Sequence, residues 1–327
     1  MRTITLLLVA GLFAAAAVGC ESTSQRDAER QQTARALVEE AETFLERGLE
    51  DSALAAFGLA LEENPQLAAA HMGMGQIYLG RGNYDLAGPA YQRATEVEPS
   101  NAEAYYRLGF TQQMRGSVEQ SLRNYLRALS LNPEHMEANR DIASAYLQVG
   151  RAGDAVSYAR RAVRLNPDSQ AAWANLGGAY SLLRRYEEAR DAYRQAMDLG
   201  ERHRPVMLGL AEAHLQLGSH EQAVHVLEVL LEDHPDYGLA HERMGTAYFR
   251  LGEYEKALAA YERAHEIDER DTSALNGIGA SLMTMYLETN RRESHLRDRA
   301  VRAWQQSLRI RPDQPRISDL IVRFRRS

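Results

Sequence analysis

The sequence predicts an all-α chain that stacks about eight helix-turn-helix units and ends in a short capping helix. Three observations predict it: a 34-residue period, a small-residue slot held in phase with it, and a proline that recurs once per period. Pro65, Pro99, Pro133 and Pro167 stand 34 residues apart, and Pro235 follows two periods later. Gly75, Gly109, Gly177 and Gly245 keep that phase, and Ala41, Ala143 and Ala211 fill the slots between them. Tyr78, Tyr146, Tyr180 and Tyr248 form a second series in the same phase, and Phe57, Tyr91, Tyr125, Tyr193 and Tyr261 form a third. A chain that is 45% hydrophobic and 25% charged has the composition of a folded protein.

The elements follow in order. Arg2 and the apolar run Ile4–Val18 read as a secretory signal over residues 1–19, because the run is shorter than the roughly 20 residues of a membrane span. Residues 20–33, from Cys20 through a polar stretch without apolar periodicity, are expected to be a flexible tether. Seven contiguous units occupy 34–271. In each, the small residue lets two antiparallel helices approach, a glycine such as Gly82, Gly116 or Gly252 marks the turn, and the proline opens the next unit. Where the fifth proline is due stands Glu201; Gly200 is expected to end that helix and Pro205 to open the next. Pro89 is expected to kink its helix. An eighth unit, 272–314, carries an insertion near Tyr286–His295 that should lengthen both of its helices. In 315–327, Ile317, Leu320, Ile321 and Phe324 should face the array and the arginines water, as the end of a solenoid requires.

Charge is uneven. Lys256 is the one lysine among 38 basic residues, a bias that codon usage explains without any functional demand. Residues 291–327 hold eleven arginines against Glu293, Asp298, Asp313 and Asp319, a net +7 on a chain whose total is −7. The basic end suits an anionic surface or partner, and equally a solvated terminal helix. The acidic total argues against a nucleic-acid partner.

No set of residues reads as catalytic, no cofactor or metal is expected, and no small-molecule substrate is implied. His220-Glu221 with His225 places the second histidine one residue too late for a zinc-binding helix, since ligands five apart diverge by about 140°. The single cysteine excludes a disulfide framework and a zinc site built on several thiolates.

The stretch 171–199 resembles the tetratricopeptide (TPR) repeat. The resemblance implies a right-handed superhelical solenoid that binds other proteins through the concave face of the first helix of each unit. Carried over residue by residue, the peptide-binding groove comprises Met72, Gln76, Tyr106, Phe110, Gln113, Arg140, Asn175, Glu212, Glu242 and Phe249, with Val38, Leu45, Leu79, Leu147, Leu208, Leu215, Leu239 and Met283 as further apolar lining. The alternative role for any one of these is packing between neighbouring first helices. Tyr106 and Phe110, one turn apart, are the expected exposed anchors. The family's two-carboxylate clamp for chaperone tails is broken here: Arg140 and Asn175 are present, but Ser144, Leu208 and Gly209 interrupt the set. An apolar or amphipathic segment of another protein is the expected ligand.

Ala17-Val18-Gly19-Cys20 resembles the lipobox of bacterial lipoproteins, with Ala17 where that family usually has leucine. The resemblance implies acylation of Cys20, cleavage before it and a lipid anchor in the cell envelope. Glu21, in place of the aspartate that retains such proteins at the inner membrane, implies the periplasmic face of the outer membrane in an organism with two membranes. An ordinary signal cut nearby, with Cys20 incidental, is the other reading. The two resemblances together match the all-TPR lipoproteins of pilus, secretin and outer-membrane assembly and those that marshal cell-wall hydrolases. They imply a non-catalytic scaffold that orders envelope proteins. The alternative is a structural factor associated with cell wall or polysaccharide through the basic C-terminal end, around Arg309–Arg326.

Overall fold

The computed structural model describes the backbone of residues 3–325 and side chains from residue 24 onward. The Cys20 side chain and Arg326, both invoked above, lie outside the described residues. The described residues form helices joined by short turns, with no strand among them: α1 (Thr3–Glu46), α2 (Glu50–Glu63), α3 (Ala68–Gly80), α4 (Tyr84–Val97), α5 (Ala102–Met114), α6 (Val118–Leu131), α7 (Met136–Gln148), α8 (Ala152–Leu165), α9 (Gln170–Leu182), α10 (Tyr186–Asp198), α11 (Arg204–Gln216), α12 (His220–Asp233), α13 (Gly238–Leu251), α14 (Tyr254–Ile267), α15 (Thr272–Glu288), α16 (Ser294–Ile310) and α17 (Pro315–Arg325).

The chain divides into two compact units at Val149/Gly150. In the first, the hairpins α1/α2, α3/α4 and α5/α6 stack in sequence and α7 packs on α6. In the second, α8 packs on α9, the hairpins α9/α10, α11/α12, α13/α14 and α15/α16 stack in order, and α17 closes on α16. Pro89 lies inside α4, which continues through it. Pro205 sits in the first turn of α11, as a residue with fixed φ and no donor should.

The expected tether differs from the backbone found. Residues 24–33 are helical and exposed, and Arg30 of that stretch reaches Glu63 of α2 at 3.4 Å. The reason is local: between Cys20 and Arg47 there is neither glycine nor proline, and the glutamines, arginines and glutamates are good helix formers. Burial begins at Ala34, where the repeats begin. Among the described residues no helix is long and apolar enough to cross a membrane.

Two local devices recur with the period. The turn between the helices of a hairpin needs a residue in the left-handed region, and Gly48, Gly82, Gly116, Gly150, Gly218 and Gly252 supply it with φ between 69° and 79°. Arg184 takes the same slot with φ 59° and accepts the strain. The turn between hairpins is closed by a side chain six residues after the proline at four of the five positions, and by Arg127 at Pro99. Asn139 and Trp173 donate to the carbonyls of Pro133 and Pro167, at 3.0 and 2.8 Å, and the Nε2 atoms of His71 and His241 stand 3.2 and 2.9 Å from those of Pro65 and Pro235. These histidines serve the backbone.

Packing is organised by aromatic rings of the second helices laid on glycines of the first. A Cβ built on Gly177 would lie 2.7 Å from the Tyr193 ring, and one on Gly209, in the next hairpin, 2.4 Å from the same ring. Tyr261 is held likewise between Gly245 and Gly277, at 2.7 and 2.5 Å. The glycine slot thus admits an aromatic face, rather than the alanines of the partner helix for which the sequence seemed to reserve it.

The insertion is absorbed as extra helix. α15 and α16 have 17 residues each, against 13 or 14 in each helix from α2 to α14, and turn through Asn290 and Arg291, both at positive φ. Trp304 fills the aromatic slot against Gly279, and Ile321 and Phe324 of α17 are buried beside it with Ile317 and Leu320 partly covered.

Gly209→Ala is expected to destabilise the second unit by about 1–3 kcal/mol, because the overpacked ring outweighs the gain in helix propensity. Gly58→Ala, in α2 with nothing within 4 Å of the new Cβ, should stabilise by about 0.5–1 kcal/mol. Urea denaturation followed by circular dichroism separates the two signs.

Candidate functional site

Within each unit the predicted groove residues lie on the first helices of the hairpins, but not all of them reach the surface. In the first unit the departure is largest at Tyr106, the expected anchor. It is only 5% exposed. Its hydroxyl donates to Asp141 Oδ2 at 3.0 Å, and its ring stands 4.6 Å from the His135 ring and 6.0 Å from that of Tyr125. Burial, with the Asp141 charge nearby, pushes its phenol well above the ordinary range. Tyr106 is therefore a core residue with a satisfied polar tip, as buried tyrosines generally are.

Asp141 is held by three donors. Arg140 gives it Nε at 2.6 Å and an amino group at 3.0 Å, and Tyr106 supplies the third. Arg140 thus spends its fork on a neighbour in its own helix. Beside this pair, Glu103 accepts from Arg107 Nε at 2.5 Å and from His135 Nε2 at 2.9 Å, and these bonds hold its carboxyl below the usual range. His135 Nδ1 stands 3.4 Å from the Ala138 amide and 3.2 Å from Glu137 Oε2. Gln113, also expected in the groove, is buried and accepts from Tyr125 at 2.8 Å. It too is a packing residue.

What remains open in the first unit is Phe110 and Leu147, both half-buried, with Met114 43% exposed and Gln76 exposed. Phe110 and Met114 are one helical turn apart on α5. Met72 and Leu79 are partly covered by Tyr91 and Leu108. Among the further lining residues, Val38 and Met283 are buried and Leu239 is 40% exposed.

In the second unit a cavity of about 470 Å³ opens between α11 and α13, lined by Glu212, Leu215, Gln216, His220, Arg243, Thr246 and Arg250. Arg243 bridges Glu212 at 2.8 Å and pairs with Glu242. Glu242 is 6% exposed, and burial raises its carboxyl pKa despite the arginine beside it. Glu212 stays half-exposed and takes a second bond from Gln216. Asn175 is half-buried on α9, and Phe249 meets Tyr254 edge-on at 5.4 Å. Among the described residues no three His, Cys, Asp or Glu side chains converge as metal ligands.

Sequence reasoning passed over one shared position, although it named Asn175 and Gly209 singly. Gly73, Arg107, Asp141, Asn175, Gly209, Arg243 and Gly277 stand 34 apart, at the sixth place of each first helix. Where glycine occupies it, the preceding aromatic ring fills the space; where Arg107, Asp141 or Arg243 does, a polar cluster forms.

The fold defines a helical repeat protein built of stacked helix-turn-helix hairpins within each unit. Profiles of the tetratricopeptide repeat match residues 75–116, 115–162, 140–202 and 208–272. The chain belongs to the TPR family, whose members generally act as non-catalytic scaffolds for other proteins and bind peptide partners. Its fold is similar to that of PilF from Pseudomonas aeruginosa (TM-score 0.54, 20% identity, covering 63% of this chain and 94% of that one). It is similar also to a TPR protein from Parabacteroides merdae (TM-score 0.54, 20% identity, 79% and 98%). YrrB, a TPR protein described as having an unusual peptide-binding site, gives a TM-score of 0.50 at 19% identity over 62% and 98%. No curated protein sequence matches the chain.

Tyr106→Phe is expected to cost about 1–3 kcal/mol of stability, the value of a hydrogen bond to a buried carboxylate. Denaturation midpoints of the two proteins measure it; an unchanged midpoint would place the hydroxyl outside the core.

Proposed function

We propose that this chain is a lipid-anchored scaffold of the bacterial cell envelope that captures an apolar or amphipathic segment of another envelope protein on its first helices. The observation that carries the capture is the open apolar stripe on α5 and α7, Phe110, Met114 and Leu147, in a family whose members bind peptides. Burying three such side chains is worth roughly 5–8 kcal/mol gross, which ordering costs reduce to micromolar affinity. Exchange on that scale suits a protein that orders partners.

The anchoring rests on sequence alone. An apolar run that stops at a lone cysteine is the pattern of an acylated N-terminus. A thiol exported into an oxidising compartment and left free would be a liability, whereas acylation consumes it. One acyl chain holds a protein at a membrane only marginally, and two or more hold it stably. Such an anchor would set the array at the periplasmic face of the outer membrane in a two-membrane organism.

Phe110→Ala combined with Met114→Ala should weaken capture of envelope proteins at least about tenfold with the helical signal unchanged. A photo-crosslinker at Phe110 should yield a dominant adduct that one at Arg127, exposed on α6, does not. Identical adducts from both sites would remove the groove from the account. Separately, Cys20→Ser should abolish acylation and release the protein from the membrane fraction. Unchanged fractionation would overturn the anchor while leaving the capture result standing.

A further inference from the structure

The first and last helices of the array leave complementary surfaces open. At the third, seventh and tenth places of the first helix, every later hairpin is apolar or small and covered. The third place holds Ala70, Ala104, Ala138, Ala172, Val206, Ala240 and Ala274, all buried. In α1 the corresponding residues are Ala36, Glu40 and Thr43, and all three are exposed. The face is open because, among the described elements, α1 packs on α2 and α3, and the exposed side of α1 is acidic, with Glu39, Glu40, Glu42 and Glu46 against Arg35 and Arg47.

α17 is the counterpart. Counted in the same register, after the nine inserted residues, Ile317, Ile321 and Phe324 take the third, seventh and tenth places and seat α17 on α16. The eighth place, where Gly75, Gly109, Gly177 and Gly245 meet the ring of their own second helix, is Val322, 55% exposed. Among the described elements α17 packs on α16, which leaves its other side open. Arg316 and Arg323 lie on that outer side with Val322, and neither makes an ion pair among the described residues; Asp319 is the one acid on that stripe.

We propose that the outer face of α17 docks on the open face of α1 in a second copy of this chain, head to tail, with Val322 against Ala36 and Arg316 and Arg323 among Glu39 and Glu40. Charge complementarity selects this occupant: the basic outer side of α17 is opposed to the acidic exposed side of α1. The contact is heterologous, since it joins two different surfaces. It uses neither the groove nor the acyl group, so it stands apart from the function proposed above.

The test is sedimentation velocity of the purified full chain in a nonionic detergent, at about 50 and about 500 mM salt, where surface charge is weakly and strongly screened. The wild type should self-associate at low salt in a concentration-dependent way and dissociate at high salt. E39R/E40R makes both ends basic and R316E/R323E makes both acidic, and each variant alone should lose association at least about tenfold. An equimolar mixture of the two should regain it, since each then meets an end of opposite sign; misfolded variants would not. A wild type monomeric at low salt overturns the proposal, as does a mixture that stays dissociated. Loss of binding to vesicles of anionic phospholipid in R316E/R323E, with self-association intact, would also overturn it and give the basic end to the membrane.

Discussion

The array depends on one contact, the face of an aromatic ring laid on a glycine of a neighbouring helix. A glycine inside a helix costs about 1 kcal/mol in propensity relative to alanine, yet this chain places one in the middle of α3, α5, α9, α13 and α15. Each offsets that cost by admitting a ring at a separation that no Cβ would tolerate, 2.7 Å at Gly177 and 2.2 Å at Gly279. Where both the hairpin's own glycine and that of the next are present, as around Tyr193 and Tyr261, one ring couples two hairpins. That coupling is what nearest-neighbour stability in a repeat protein consists of at the level of atoms.

The same contact explains where the polar residues went. The sixth place of a first helix lies against the ring of the preceding hairpin, and a side chain there must share that space. Arg107 and Asp141 do so by forming bonds within the first unit: Arg107 to Glu103, and Asp141 to Arg140 and the Tyr106 hydroxyl. Tyr106 is drawn inward by the carboxylate that replaces a glycine. Buried polar groups with every partner present specify one arrangement of neighbouring helices. The network around Tyr106 belongs to the architecture of the face, and the ligand-facing surface begins one turn further along α5, at Phe110 and Met114.

The period, the hairpin boundaries and the closing helix were legible in the sequence because each is written by residues with a backbone reason. Pro205 in a first turn and Gly116 at positive φ have no equally good substitutes. The insertion was legible because Trp304 arrives late for a slot that must be filled. The open face was only partly legible. Tyr106 and Phe110 are both aromatic and one turn apart, and nothing in their spacing separates them. The difference lies in Asp141, 35 residues further on, which offers Tyr106 a buried acceptor and offers Phe110 nothing. Residues 24–33 failed for another reason: polarity was read as absence of structure, although a stretch without glycine or proline can continue a helix that packs only at its far end.

An array built on nearest-neighbour contacts has a problem that a closed core does not, because helices packed on one side only, as α1 and α17 are, expose faces that internal hairpins cover. A chain can solve it with polar side chains, with an extra helix, or with both. Here the beginning takes the first route, putting Glu40 at a place held by leucine, isoleucine or methionine in every later hairpin. The end takes the second, since α17 covers the last core with Ile321 and Phe324. Solubility alone would be satisfied by charge of either sign at each end. The signs are opposite, and the added helix exposes a valine at the one place where the repeat expects a ring. The two ends are therefore protected against indiscriminate association while remaining matched to each other. That is how a repeat protein separates a surface that must stay in water from one that can still be joined.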